Sequence, residues 1–244
     1  MTGRDLLELD GITKQFGGLA ANSGISIRVR QGELLGLIGP NGAGKSTLFN
    51  IIAGSYPPTS GKIIFDGIDI TRASAAGRCA LGIARTFQVP KSFESMTVLD
   101  NVTVGAFVRA AGSKAARQAA IEALEFTALA SRAAVPASEL TPPERRRLEM
   151  ARALATKPKL LLLDEVLTGL TPSEAAKGAE LVRKIRQHGI TIIMVEHVME
   201  VVMPLVERVI VLDLGSVLFE GAPDEVVRDP SVIRAYLGDR ARAA

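Results

Sequence analysis

"ELLGLIGPNGAGKSTLFNIIAG", residues 33–54, decides the fold. Its first stretch is almost wholly apolar, as expected of a strand covered on both faces. Glycines follow, then "KSTLFNIIAG", a helix that Gly54 is placed to end. Strand, glycine-rich loop and helix together let backbone N–H groups wrap around phosphate oxygens, with the positive end of the helix behind them. Residues 39–47, "GPNGAGKST", fit G-x-x-x-x-G-K-[ST], with Gly39, Gly44, Lys45 and Ser46 on the fixed positions. Lys45 is expected to neutralise the β- and γ-phosphates of a nucleotide and Ser46 to ligate Mg²⁺. Asn41, Gly42 and Thr47 complete the expected cradle.

"LLLLDE", residues 160–165, supplies the second half. A buried strand that delivers Asp164 to its C-terminal end places a carboxylate beside the phosphate loop, where Mg²⁺ would sit. Glu165 adds a carboxylate able to polarise an attacking water. Asp-Glu at a strand end is a weak signal alone and a strong one behind such a loop.

The rest of the chain falls into three blocks. "LLELDGITKQF" (6–16) and "ISIRVR" (25–30) alternate as half-buried strands, and "KIIFDGIDIT" (62–71) reads as a hairpin around Asp66-Gly67. From about residue 96 to 156 strand signals vanish, and "AARQAAIEALEFTALASRA" (115–133) is Ala-rich with helical spacing. Strand–helix alternation then resumes through "SEAAKGAELVRKIRQHG" (173–189), "TIIMVE" (191–196) and "HVMEVVMPLV" (197–206). It ends in "RVIVLD" (208–213), "SVLFEG" (216–221) and a final helix over "PDEVVRDPSVIRAYLG" (223–238). Parallel strands with crossover helices, interrupted by a helical insertion, is the economical picture.

Composition narrows the function. Lys and Arg number 29 against 26 Asp and Glu, a net charge of +3 that is too mild to argue for nucleic acid. With 47% hydrophobic but 4% aromatic residues, the chain suits an α/β interior of Val, Ile, Leu and Ala. Cys79 is the sole cysteine, which fits a reducing cytoplasm. The start "MTGRDLLELDG" has no signal-peptide pattern, and every apolar run falls short of a membrane span. A soluble protein is expected, attached to a membrane through a partner.

The phosphate loop, the Asp164-Glu165 strand end and the helical insertion together resemble the nucleotide-binding subunit of ABC transporters along nearly the whole chain. The resemblance implies one cassette over 1–244. A P-loop NTPase (RecA-like) core at 1–95 and 157–244 carries an antiparallel β subdomain, and 96–156 forms an inserted α-helical signature subdomain. It further implies that Phe16, in "KQFGG", stacks on the adenine of ATP. Gln88, in "ARTFQ", senses the γ-phosphate and Mg²⁺ and contacts the membrane partner, and His197, in "MVEHVM", holds the γ-phosphate. "GIARTFQ", "MTVLDNV", "RRLEMARALAT" and "PSVIRAYLG" are most similar to ATPases of branched-chain amino acid importers, with lipopolysaccharide-export ATPases as neighbours. The implied partners are transmembrane permease subunits, a second ATPase subunit (in a heterodimer or a homodimer) and a periplasmic or extracellular binding protein. The implied location is the cytoplasmic face of the membrane.

One motif departs from the family. Where it has LSGGQ, this chain has Leu140-Thr141-Pro142-Pro143-Glu144. Thr141 is a good N-cap, Pro142 suits the first helical position and Thr-x-x-Glu is a capping box, so the helix start is expected to survive. Each proline removes an N–H that could face phosphate, and Glu144 adds a negative charge that Arg145, Arg146 and Arg147 offset in part. Val166 stands where a proline is usual, and Thr171 where the family has Asp or Asn. An intact phosphate loop beside a degraded donor surface leaves open a regulatory subunit with one weak site. Non-transport ABC proteins fit less well, because neither a coiled-coil insertion nor a second cassette is present.

Overall fold

The computed structural model describes residues 4–196 and 199–242. Two sheets form the body. The smaller, in the order β2-β1-β4-β5, is antiparallel and contains β1 (Asp5–Phe16), β2 (Leu19–Arg30), β4 (Ser60–Phe65) and β5 (Ile68–Asp69). Asp66 and Gly67 turn β4 into β5 with φ of 51° and 80°, the left-handed pair that a two-residue hairpin turn requires.

The larger sheet runs β10-β9-β3-β8-β7-β6. In it β3 (Leu34–Ile38), β6 (Ile83–Arg85), β7 (Leu160–Asp164), β8 (Thr191–Val195) and β9 (Arg208–Asp213) are mutually parallel, while β10 (Ser216–Gly221) closes one edge antiparallel. All five residues of β3, β7 and β8 are buried. Successive side chains go to opposite faces, as strand geometry dictates. Leu35, Leu37, Leu160, Leu162, Ile193 and Val195 meet the antiparallel sheet and α1 (Lys45–Ile52). Leu34, Ile38, Leu161, Leu163, Ile192 and Met194 meet Val182 and Ile185 of α6 (Pro172–Gln187).

Between β6 and β7 the chain leaves the sheet. Helices α3 (Val98–Ala106), α4 (Ser113–Phe126) and α5 (Pro142–Ala155) pack on an apolar cluster of their own, including Val98, Val102, Leu124, Leu129 and Leu148. The helical spacing of the alanines sets its depth: Ala116, Ala120 and Ala151 are fully buried, so the helices approach closely.

Two expectations need correction. The final helix is broken in two, α8 (Pro223–Val226) and α9 (Pro230–Arg242). The residue before a proline is pushed out of helical geometry, and Asp229 Oδ1 caps the second helix by accepting the N–H groups of Ser231 (2.8 Å) and Val232 (3.1 Å). The sequence reading also passed over α2 (Ala75–Leu81) and the short edge strand β6 behind it. That helix is only seven residues long, and four of them are Ala or Gly, so its apolar stripe is too short to detect.

α2 carries Arg78, 1% exposed, beneath the end of α1. Its guanidinium donates to the carbonyls of Ile51, Ile52, Thr71 and Ala73 at 2.5–3.1 Å. The orphan carbonyls that every helix end leaves are therefore met by a buried cation. Arg78→Met keeps the volume and leaves these acceptors without their donor, so the chain should lose about 2–4 kcal/mol of unfolding free energy. Urea unfolding measures this; a change under about 0.5 kcal/mol, the usual size for a surface site, would deny Arg78 the role.

Candidate functional site

The C-terminal ends of β3 and β7 open on the same side of the sheet, the place where parallel α/β sheets bind ligands. The loop after β3 turns sharply because its glycines occupy backbone space that other residues cannot. Gly44 has φ 95°, and a Cβ there would lie 2.3 Å from the Ala21 carbonyl oxygen. The Asn22 side-chain amide, fully buried, donates to the Gly44 carbonyl at 3.1 Å and ties the loop to β2.

A cavity of about 490 Å³ forms over this loop. Asn41, Gly42, Gly44, Lys45, Ser46 and Thr47 line it, and Gln88 and Glu165 reach it from two other loops. Eight of the expected site residues therefore share one concavity. The Glu165 carboxylate accepts from Gln88 Nε2 at 2.7 Å. Lys45 is buried and donates to the carbonyls of Gly39 (2.6 Å) and Pro40 (2.8 Å). Burial lowers the Lys45 pKa, while Glu165 and Asp164 pull it back up, so both carboxylates lie within its field. A larger cleft of about 750 Å³ runs between α5 and α6. It lacks the phosphate loop, and chemistry rather than size marks the smaller one as the site.

Asp164, 5% exposed, stands behind the cradle. Arg85 Nη2 lies 3.4 Å from its Oδ2, and Arg85 Nη1 donates to Asn50 Oδ1 at 2.7 Å. Asn50 in turn donates to the Ser46 carbonyl at 2.8 Å. Two expected metal ligands, Ser46 and Asp164, are thus joined through Arg85 and Asn50. Arg85 belongs to "ARTFQ", where an arginine entering a buried strand end is its signal in the sequence. Ser46, Gln88 and Asp164 offer a hydroxyl, an amide and a carboxylate, the oxygen donors that Mg²⁺ prefers. Among the described residues no cluster of three or more His, Cys, Asp or Glu could hold a metal alone. A cation here would share its oxygen shell with phosphates, as Mg²⁺ does in nucleotide sites.

Two expected residues stand apart. Phe16 does not line the cavity; 46% exposed, it meets Tyr56 edge-on with ring centroids 5.7 Å apart, and Lys14 Nζ lies 5.1 Å from its ring. The segment just after it, residues 19–21, does line the wall. His197 lies outside the described residues. Glu196 before it was missed: 1% exposed, it accepts from the Leu167 N–H at 2.6 Å and the Thr168 hydroxyl at 2.9 Å.

The helix start at Thr141 is intact. Glu144 Oε2 accepts from both the N–H and the hydroxyl of Thr141 at 2.9 Å, with Pro142 and Pro143 in the first turn. The Thr141 N–H holds the Glu144 carboxyl below its ordinary range against a burial effect of opposite sign, helped by the Thr141 hydroxyl and Arg132. Of the three consecutive arginines expected to compensate in part, Arg147 adds a favourable field at Glu144. Arg132, 3.4 Å away, makes the ion pair. Arg145 turns to the Leu140 and Ser138 carbonyls, Arg146 to Val166 and Arg147 to Ala128. Thr171, a further departure, is the N-cap of α6, where its N–H and hydroxyl donate to Glu174 Oε2.

Comparison with known proteins agrees with this geometry. The family profile described as ABC transporter matches residues 22–168, and that of the branched-chain amino acid ATP-binding cassette transporter matches 216–242. The chain is 36% identical to the high-affinity branched-chain amino acid transport ATP-binding protein BraF of Pseudomonas aeruginosa, over 97% of this chain and 99% of that one. It is 37% identical to LivG of Escherichia coli, which bears the same description, over 96% and 98%. A crystal structure of a nucleotide-free ATP-binding cassette from an ABC transporter superposes with a TM-score of 0.88 at 31% identity, covering 96% of this chain and 99% of the other. The ADP conformation of such a cassette gives 0.88 at 32%, with the same coverage. The phosphate cradle, the strand-end carboxylates and the inserted helices find their common explanation here: the chain belongs to the ATP-binding cassette family of ABC transporters.

Proposed function

We propose that this chain binds Mg·ATP at residues 39–47 and hydrolyses it to drive an importer of branched-chain or related amino acids. The observation that carries the chemistry is the Glu165–Gln88 contact of 2.7 Å at the lip of the phosphate cradle. A carboxylate able to polarise a water, beside an amide able to sense a γ-phosphate, supports this reading. Mg²⁺, when bound, would supply positive charge that neutralises the phosphates. Lys45 supplies a second cation, the backbone amides of the loop bind the oxygens, and Glu165 orients and polarises the water. Ser46, Asp164 and Gln88 are the residues that would hold the metal, Phe16 the one that meets the adenine, and His197 the one that meets the γ-phosphate.

The cargo assignment is supported by the family match over 216–242 and by the names of the relatives. No helix among the described residues is long and apolar enough to cross a membrane. The chain then works on the cytoplasmic face beneath permease subunits, beside a second ATPase subunit, with a binding protein delivering the cargo. Residues 96–156 form its inserted helical subdomain.

Lys45→Ala tests the assignment. Removing a charge-assisted contact worth about 1.5–3 kcal/mol should weaken ATP binding roughly 10–150-fold. In cells that lack the native copy, the wild-type chain should restore leucine, isoleucine or valine uptake and the variant should not. Equal nucleotide affinity would remove the loop from the site, and unchanged uptake without the chain would remove the cargo.

A further inference from the structure

Beyond its first turn, α5 presents Arg146, Glu149 and Arg152 at i, i+3 and i+6, one face of the helix. That face is turned toward two loops. Arg146 Nη1 donates to the carbonyls of Val166 at 2.9 Å and Glu165 at 3.4 Å. The Glu149 carboxylate accepts the N–H of Phe87 at 3.1 Å and of Lys91 at 2.7 Å, flanking Gln88 on both sides. Arg152 donates to the Lys91 carbonyl and lies 4.9 Å from the Phe93 ring. The side chains carried by these loops, Glu165 and Gln88, are the pair that meets at 2.7 Å.

Two features say that this grip sets position and is more than cement. Glu165 has φ 51°, a left-handed backbone in which a residue with a side chain persists only when its surroundings hold it. Glu149 is 6% exposed, and a carboxylate so buried is tolerated when hydrogen bonds fix it; here both come from the Gln88 loop. On its far side the Glu165 loop is tied independently, through the Glu165 N–H to Val195 (2.9 Å) and through Glu196 to Leu167 and Thr168. Loss of Arg146 would therefore leave the loop attached and its aim free.

We propose that Arg146 and Glu149 are positioning residues. From one face of α5 they set Glu165 and Gln88 relative to each other, so that displacement of α5 reaches both at once. The proposal rests on Glu165 polarising the attacking water and Gln88 standing at the metal and γ-phosphate.

The test uses Arg146→Ala, Arg146→Lys, Glu149→Gln and the double variant Arg146→Ala/Glu149→Gln. Turnover is measured in the assembled transporter; binding of a fluorescent ATP analogue and amide exchange are measured on the full chain. A misplacement near 1 Å costs up to about 100-fold in rate, so Arg146→Ala should lower kcat roughly 10–100-fold with KM nearly unchanged. Arg146→Lys, which keeps one donor within reach of Val166, should recover most of that loss. The double variant should be little worse than the poorer single one, because both act on one contact. Amide exchange should quicken at 86–91 and 165–168, with the buried strands unchanged. Wild-type kcat in Arg146→Ala overturns the proposal, and so does a parallel fall of kcat and thermal stability without rescue by lysine. Glu165→Gln run alongside separates the two ideas. Full turnover in that variant defeats the role of Glu165, whereas the exchange pattern and the lysine rescue judge the grip.

Discussion

Glu165→Gln should lower ATP turnover by about 10²–10⁴-fold, the usual contribution of a positioned base, while leaving ATP bound. The substitution keeps the size of the side chain and its ability to accept from Gln88, which now stands at 2.7 Å. It removes the basic oxygen. The residue follows β7 directly, and its field reaches Lys45 in the phosphate loop. Rapid mixing with Mg·ATP followed by phosphate-release measurement gives the rate, and filter retention gives the trapped nucleotide. Turnover within a few-fold of wild type in the assembled complex would transfer the role to another residue.

Converting Thr141-Pro142-Pro143-Glu144 to Ser-Gly-Gly-Gln should raise ATP-dependent dimerisation of the isolated chain by about 10²–10⁴-fold. Each proline replaced restores an N–H at the start of α5, and a charge-assisted bond from such a group is worth roughly 1.5–3 kcal/mol. Removing Glu144 also relieves repulsion of about 3 kcal/mol per unit charge, taking ~5 Å and an effective dielectric of ~20. The Arg132 ion pair offsets part of that repulsion, so the amides should account for most of the gain. Light scattering in a Glu165→Gln background reads the dimer, and steady-state assays read turnover. In the heteromeric complex the same repair should matter less, because this chain's own Glu165 and Lys45 would face the partner's signature. An unrepaired chain that dimerises as well as the repaired one would make the prolines harmless.

The core was legible because its signals are local and dense. Almost wholly apolar five-residue runs at β3, β7 and β8, each followed at once by loop residues, suit strands buried on both faces, and the loop after β3 carries its chemistry in consecutive residues. The alanine spacing revealed the inserted helices for the same reason. What escaped was held by tertiary partners. Arg78 makes sense only with the end of α1 above it, and Arg85 only once β6 lies beside β7. Arg146 and Glu149 form a visible i, i+3 pair, but their targets come from loops 58 residues before Glu149 and 20 residues after Arg146. The false single helix at the C-terminus came from reading the propensity of residues 223–238 without the veto of Pro230. Phe16 was placed through the family pattern alone; it meets Tyr56 edge-on and pairs with Leu19, which lines the cavity.

Arg78 also has an electrostatic consequence at a distance. α1 is eight residues long, so its axis spans about 12 Å. The backbone dipoles place partial positive charge at the phosphate loop and partial negative charge at the far end. The guanidinium is hydrogen-bonded to Ile51 and Ile52 at that far end, where it cancels the negative pole and leaves the positive pole unopposed. At ~12 Å and an effective dielectric of ~20, its own field adds about 1 kcal/mol of attraction per unit of phosphate charge. A cation inside the protein, out of reach of the ligand, thereby makes the mouth of the helix a stronger trap for polyphosphate.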